Sequence, residues 1–158
     1  MRYTSAKHRP SYTFDVNLQL KDAGLVAADA AATVGGSAKV LDLGVGLVEG
    51  DIIIDASAIE IATGDERYTI IAQFSSSATF ASDIVIGSCI PIGDGSTIAT
   101  AFGSSGVDVD DTAGRYILPF RNERNGTWYR YMRLWTDVSG TIASGINYVA
   151  FAAIQKGS

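Results

Sequence analysis

Apolar and polar residues alternate along most of the chain, and this alternation predicts strands rather than helices. In residues 14–20 every second side chain is apolar, from Phe14 to Leu20, which is typical of a strand with one buried face. Residues 66–74 show the same period of two, with Tyr68 on the predicted buried face. Further strand-like runs occupy residues 39–44, 51–63, 82–92, 114–120, 127–138 and 145–154.

Turn signals separate these runs. Asn125-Gly126 predicts a hairpin between the strands at 114–120 and 127–138, because both residues readily adopt positive φ angles. The run at 82–92 is expected to place four isoleucines on one face: Ile84, Ile86, Ile90 and Ile92.

Residues 21–33 are alanine-rich and are the one helix-like segment, although Gly24 limits it to one or two turns at most. About eight strands without a substantial helix predict an all-β fold, a single antiparallel β-sandwich or jelly roll, over residues 14–158. Residues 1–13 are polar, basic and interrupted by Pro10, and we expect them to form a flexible N-terminal arm.

Length and composition are those of a globular protein of one domain. The 158 residues are 47% hydrophobic and 18% charged, whereas a typical soluble domain carries about 25% charged residues. The high apolar fraction and the net charge of −5 exclude a largely disordered chain. No apolar run approaches the roughly 20 residues of a membrane helix, so we expect no membrane partner.

Residues that carry catalysis or bind metals are scarce. A single His8 and a single Cys89 exclude an intrachain disulfide and a Cys/His zinc site. His8 lies in the predicted arm, which leaves no positioned base for Ser-His-Asp catalysis. Cys89 lies in an apolar run and is expected to be a small buried hydrophobe. We therefore expect no enzyme activity, no catalytic or metal site and no cofactor.

Two loops have only a superficial likeness to ligand-binding motifs. Gly44, Gly46 and Gly50 are spaced one residue too widely for a dinucleotide-binding loop, and a plain loop between strands is favoured. The acidic residues within 108–111 lack the glycine and glutamate that an EF-hand needs at its sixth and twelfth positions. A solvated acidic loop is favoured there, and ion binding stays open.

The charges are unevenly distributed. Residues 1–14 carry three bases and no acid, residues 15–114 carry three bases and fifteen acids, and residues 115–158 carry six bases and two acids. An acidic body is poorly suited to coating a phosphate backbone, so we expect no nucleic-acid partner. Patches of opposite charge favour oriented docking on another protein, and an accidental bias of a solvated surface is the alternative.

Arginine and aromatic residues concentrate between positions 115 and 135. These residue types dominate protein–protein hot spots, and they also stack nucleic-acid bases, which the acidic remainder disfavours. The alternative structural interpretation is that arginine stems cover the rim of an aromatic core. The interface candidates are Arg121, Arg124, Trp128, Tyr129, Tyr131, Arg133 and Trp135.

The C-terminal third, GRYILPFRNERNGTWYRYMRLWTDVSGTIASGINYVAFAA at 114–153, resembles the jelly-roll capsid decoration (cement) proteins of tailed bacteriophages. The features shared are a strand with Leu-Pro, the motif R-Y-x-R-L at 130–134, a polar-glycine turn and a final strand rich in small residues. The segments LDLG at 41–44 and ERYTIIAQFSSSATFAS at 66–82 are similar to the same family.

The resemblance implies a non-enzymatic virion protein, assembled in the host cytoplasm and located on the outer capsid surface. It implies a homotrimer that binds the major capsid protein and stabilises contacts between neighbouring capsid subunits. The arm is then expected to contact the capsid through Arg2, Lys7 and Arg9. The alternative is a jelly-roll binding module, either a carbohydrate binder or a component of a virion fibre.

Overall fold

The structure is a computed structural model that describes residues 12–94 and 110–155. The proposed arm contacts Arg2, Lys7 and Arg9, together with Asp108 of the acidic loop, lie outside the described residues. The strands, numbered in chain order, are β1 Gln19–Lys21, β2 Leu25–Val26, β3 Ala30–Ala31, β4 Thr33–Val34, β5 Ser37–Ala38, β6 Leu41–Asp42, β7 Glu49–Ile59, β8 Arg67–Ser75, β9 Val85–Gly93, β10 Gly114–Arg121, β11 Glu123–Arg124, β12 Thr127–Trp128, β13 Tyr131–Ser139 and β14 Ile146–Gln155.

Two antiparallel sheets pack face to face, which confirms the prediction of an all-β sandwich. Sheet I has the order β1-β14-β7-β10, with β2 also paired to β14. Sheet II has the order β3-β13-β8-β9, with β6 also paired to β13. The pairing is nested, because β8 pairs with β9, β7 with β10, β3 with β13 and β1 with β14. The chain therefore folds back on itself as one doubled ribbon whose pairs alternate between the sheets.

The core lies between the sheets and is built from every second residue of the long strands. In β8 the predicted face, from Tyr68 to Phe74, is buried. In β13 the buried side chains are Met132, Leu134 and Thr136. The Thr136 hydroxyl lies 2.7 Å from the Tyr148 hydroxyl of β14, so the buried polar groups of the two sheets satisfy each other.

The outer face of sheet I is covered in part by the chain that leads into it. Residues 14–20 do not form one strand, because Val16–Leu18 is a turn of 3-10 helix capped by Asp15. Phe14 instead lies edge-on against Phe151, with ring centroids 5.4 Å apart. The Tyr12 hydroxyl donates a hydrogen bond to Asp51 at 3.0 Å. These contacts fasten the entry segment to sheet I, and the strand begins only at Gln19.

The alanine-rich segment 21–33 contains no helix and instead forms the short strands β2 and β3 and the beginning of β4. Lys21 at its start is buried, and its ammonium donates to the carbonyl oxygens of Asp22, Gly24 and Tyr148 at 2.9–3.1 Å. Pairing with sheet edges therefore overrides the helix propensity of alanine.

The predicted strand at 127–138 is two strands, β12 and β13, separated at Tyr129 and Arg130. Asn125 and Gly126 form the predicted turn, with φ angles of 49° and 81°. The hairpin is nevertheless only the two-residue pair β11–β12, because β10 belongs to sheet I and β13 to sheet II. The chain uses this hairpin to cross from one sheet to the other.

An irregularity in β9 changes which of its residues face the core. Ala72 of β8 pairs with Ser88 and Gln73 pairs with Ile86, so Gly87 is an extra residue that forms a β-bulge. As a result Ile92 is buried while Ile86 is 53% exposed, and the prediction of one isoleucine face is wrong. The prediction that Cys89 is buried is also wrong, because its side chain is exposed.

Candidate docking site at one end of the sandwich

The seven predicted interface residues fall into two groups. Tyr131, Arg133 and Trp135 alternate with the buried residues of β13 and therefore lie on the outer face of sheet II, each half-buried. The other four precede β13 at one end of the sandwich, where β7 begins and β10 ends: Arg121, Arg124, Trp128 and Tyr129.

Arg133 is held by contacts within the chain. Its guanidinium lies 4.4 Å from the centroid of the buried Phe80 ring and 5.2 Å from that of Trp135. Its Nε donates to the Gln73 side chain at 2.8 Å, and burial lowers the pKa of the guanidinium. This arrangement is that of an arginine stem covering an aromatic rim.

Two further arginines form ion pairs with neighbouring carboxylates. Arg130 forms a two-pronged ion pair with Asp42 at 2.7 and 2.8 Å, and its hydrogen bonds lower the pKa of Asp42 to about 2. Arg121 lies 3.1 Å from Glu49 and 3.3 Å from Glu123. Arg124 differs from both, because among the residues that the structure describes no carboxylate lies within 4 Å of it.

Asn122 joins the two segments that form this end, a role that its sequence context did not predict. The residue is 1% exposed, and its side-chain oxygen accepts from the Val48 amide at 2.7 Å. Its side-chain nitrogen donates to the carbonyl oxygens of Gly46 and Tyr129, each at 3.0 Å. One buried amide therefore ties the loop 43–48 to the segment that contains the hairpin.

The two tied segments display apolar side chains to solvent. Val45 is 94% exposed, Leu47 is 45% exposed and Trp128 is 57% exposed. Val45 stands between two glycines in the left-handed region, Gly44 at φ 79° and Gly46 at φ 100°, so the backbone projects it outward. We refer to Val45, Leu47 and Trp128 as the apolar end. Valine and leucine between closely spaced glycines are the sequence signal that could have revealed it.

Carboxylates dominate the opposite end, where they hold turns together. Glu60 accepts from the amides of Ala143, Ser144 and Gly145 at 2.6–3.1 Å. Asp65 accepts from the amide and the hydroxyl of Thr141, each at 2.9 Å. Within the described residues, 12–94 and 110–155, no group of three or more His, Cys, Asp or Glu side chains is placed to hold a metal ion.

Comparison with known proteins adds no family assignment. No family model matches the chain, and no curated protein matches it. In the part of the chain that the structure describes, no helix has the length and apolar character needed to cross a membrane.

Proposed function

We propose that the chain is a non-enzymatic structural virion protein that binds the outside of the assembled phage head through its apolar end. The observation that carries the proposal is the pair of exposed side chains Val45 and Trp128, presented on two segments that Asn122 ties together. Exposed apolar groups on a rigid frame are characteristic of docking surfaces, because little conformational entropy is lost when they bind.

Other features are consistent with this role. The resemblance of residues 114–153 to decoration proteins supports the capsid as partner, and the nested strand pairing supports the jelly-roll interpretation of the sandwich. A binder that spans a boundary between major capsid subunits stabilises the shell by mass action. Assembly as a homotrimer would add avidity, and Arg2, Lys7 and Arg9 of the arm would add contacts.

The test mixes the purified protein with head shells that lack it, and measures co-sedimentation and the melting temperature of the shells. We expect the wild-type protein to co-sediment and to raise the melting temperature. The double variant Val45→Ser, Trp128→Ser should lose at least about tenfold in affinity, since each substitution removes a large buried apolar contact.

The matched control is Leu25→Ser, which removes an apolar side chain of similar exposure, 59%, near the opposite end of the sandwich. This variant should bind the shells like the wild type. Equal loss in both variants would show that binding does not depend on the apolar end. Failure of the wild-type protein to bind or stabilise the shells would refute the decoration function.

A carbohydrate-binding module or fibre component is a second candidate, favoured by the exposed indole of Trp128. Its cross-strand neighbour is Glu123, and Asn125 lies in the adjoining turn. An aromatic face beside polar groups is a common arrangement for stacking a sugar. Titration with oligosaccharides, followed by tryptophan fluorescence and compared with Trp128→Phe, tests this function. A saturable change that the variant loses would favour it over head binding.

A further inference from the structure

A groove opens beside the apolar end, between the edge strands of the two sheets. β9 and β10 are the last strands of sheets II and I, and they lie next to each other on one side of the sandwich. The groove lies between the beginning of β9 and the end of β10 and encloses about 290 Å³. This volume is at the lower limit for ligand pockets, which suits one large side chain rather than a cofactor.

The floor of the groove is aromatic and rigid. Phe74, Phe120 and Tyr129 line it, and the rings of Phe74 and Phe120 lie 6.2 Å apart. The bulge residue Gly87 rests directly on Phe74, since a Cβ at this position would collide with that ring. Phe74 and Phe120 are 1% and 4% exposed and Tyr129 is half-buried, so the floor is the preformed surface of the core and an occupant can bind without repacking it.

The polar groups around the groove are incompletely satisfied. Arg124 lines the groove and has no carboxylate within 4 Å in the part of the chain that the structure describes. The enclosed hydroxyl of Ser88, also on the groove, has no hydrogen-bond partner there. The side-chain amide of Asn122 already forms hydrogen bonds with the loop 43–48 and with Tyr129. Arg121 and Glu123 also line the groove, and they pair with each other at 3.3 Å. The groove thus offers Arg124 as one positive charge without a carboxylate partner above an apolar floor.

We propose that this groove binds an extended segment of the protein partner, with one aromatic or large aliphatic side chain on the floor and an adjacent carboxylate paired with Arg124. The inference rests on the proposed function in assigning the segment to the protein that the apolar end docks on. Pro119 removes one N–H donor from β10, so anchoring by a side chain is favoured over addition of a strand. A sugar is disfavoured, because the amide of Asn122 is already engaged.

The test titrates the isotope-labelled full chain with short peptides and follows amide shifts at Gly87 and Ser88. The probes are Ac-Ala-Phe-Asp-Ala-NH2 and Ac-Ala-Asp-Phe-Ala-NH2. Their controls replace the acid by lysine or the phenylalanine by alanine. We expect saturable shifts with at least one Phe/Asp peptide and at least tenfold weaker binding of both controls.

Variants of Arg124 test how much the charge of the groove, as distinct from its shape, contributes to peptide binding. Arg124→Glu should reverse the preference, so that the lysine peptide binds more tightly than the aspartate peptide, whereas Arg124→Lys should keep the wild-type order. Ser88→Leu, which partly fills the groove, should weaken the binding of both the aspartate and the lysine peptide. Absence of saturable shifts, equal binding of the aspartate and lysine peptides, or shifts produced by maltose instead would overturn the inference.

The shell assay distinguishes this failure from a failure of the proposed function. If the wild-type protein binds shells but no peptide, head binding is supported and the groove takes no part in it. Wild-type protein that binds the Phe/Asp peptide but not the shells would refute the decoration function and support the groove as a peptide site of another assembly.

Discussion

Asn122 shows how much one buried side chain can organise at the residue scale. Its amide bonds two segments that share no sheet, and three apolar side chains reach solvent from those segments. The sequence did not reveal it, because an asparagine between Arg121 and Glu123 has the composition of an ordinary turn. Only the tertiary arrangement brings the Val48 amide and the Gly46 carbonyl to it.

Replacing Asn122 by alanine should therefore lower the free energy of unfolding far more than replacing an exposed asparagine does. We expect Asn122→Ala to lower the free energy of unfolding by about 2–3 kcal/mol, because it leaves buried backbone groups without partners. The exposed Asn17→Ala should change it by less than about 0.5 kcal/mol. Urea denaturation measures both, and equal changes would argue against the role of Asn122.

The carboxylates of the opposite end make stability depend on acid pH. Hydrogen bonds from the amides of Gly145 and Ser144 lower the pKa of Glu60. Burial of Glu66 raises its pKa, but hydrogen bonds from Thr63 and neighbouring amides outweigh this and bring the pKa to about 2. Each folded-state pKa lies below the unfolded one, so the stability contribution is complete above the ordinary pKa near 4.3 and is lost as pH falls through the folded value.

We accordingly expect the melting temperature to decline as the pH falls from about 5 to about 2. Glu66→Gln should melt lower than the wild type at pH 7, because the ionised acceptor is missing. It should also show a shallower decline, because one titrating group has been removed. Circular dichroism melts at a series of pH values check both effects. A variant with the wild-type slope would show that Glu66 does not contribute to the acid sensitivity.

At the scale of elements, alternation predicted the regular strands and failed where the pairing is irregular. It placed Tyr68 and Phe74 on the buried face of β8, because a period of two is enough when the partner strand has no insertion. It placed Ile86 with Ile92, which the bulge at Gly87 prevents. The break between β12 and β13 was equally invisible, since it exists because the chain crosses between sheets.

The bulge provides a sharp test at this scale. Gly87→Ala should lower the free energy of unfolding by about 1–3 kcal/mol, because the added methyl collides with the Phe74 ring inside a packed core. Gly114→Ala in the neighbouring edge strand β10 is the control, since nothing lies within 4 Å of its added Cβ. Thermal denaturation compares the two variants, and an equally mild effect would mean that the bulge can move.

At the scale of the whole molecule, the two ends of the sandwich differ in chemistry. One end carries carboxylates that are engaged with turn amides and the exposed Leu25, whereas the other carries the apolar end and arginines largely neutralised by ion pairs. The sequence predicted docking through seven arginine and aromatic residues, of which only some lie at this end: Arg121, Arg124, Trp128, Tyr129, Tyr131, Arg133 and Trp135. Arg133 is engaged by Gln73 and Phe80 within the chain, whereas Trp128 is exposed in the apolar end and Arg124 lines the groove beside it. The end of the sandwich is therefore the better candidate for docking than the outer face of β13.

Deletions of different length can separate the role of the N-terminal segment in attachment from its role in folding. The described fold begins at Tyr12, which bonds to Asp51, and continues through Phe14, which packs on Phe151. Deletion of residues 1–11 should weaken attachment to head shells, because it removes three positive charges, yet should leave the melting temperature within about 2 °C of the wild type. Deletion of residues 1–14 should lower the melting temperature further, since it removes both contacts with sheet I. Unchanged attachment after the shorter deletion would exclude the arm from docking, whereas a large drop in melting temperature would make it part of the fold.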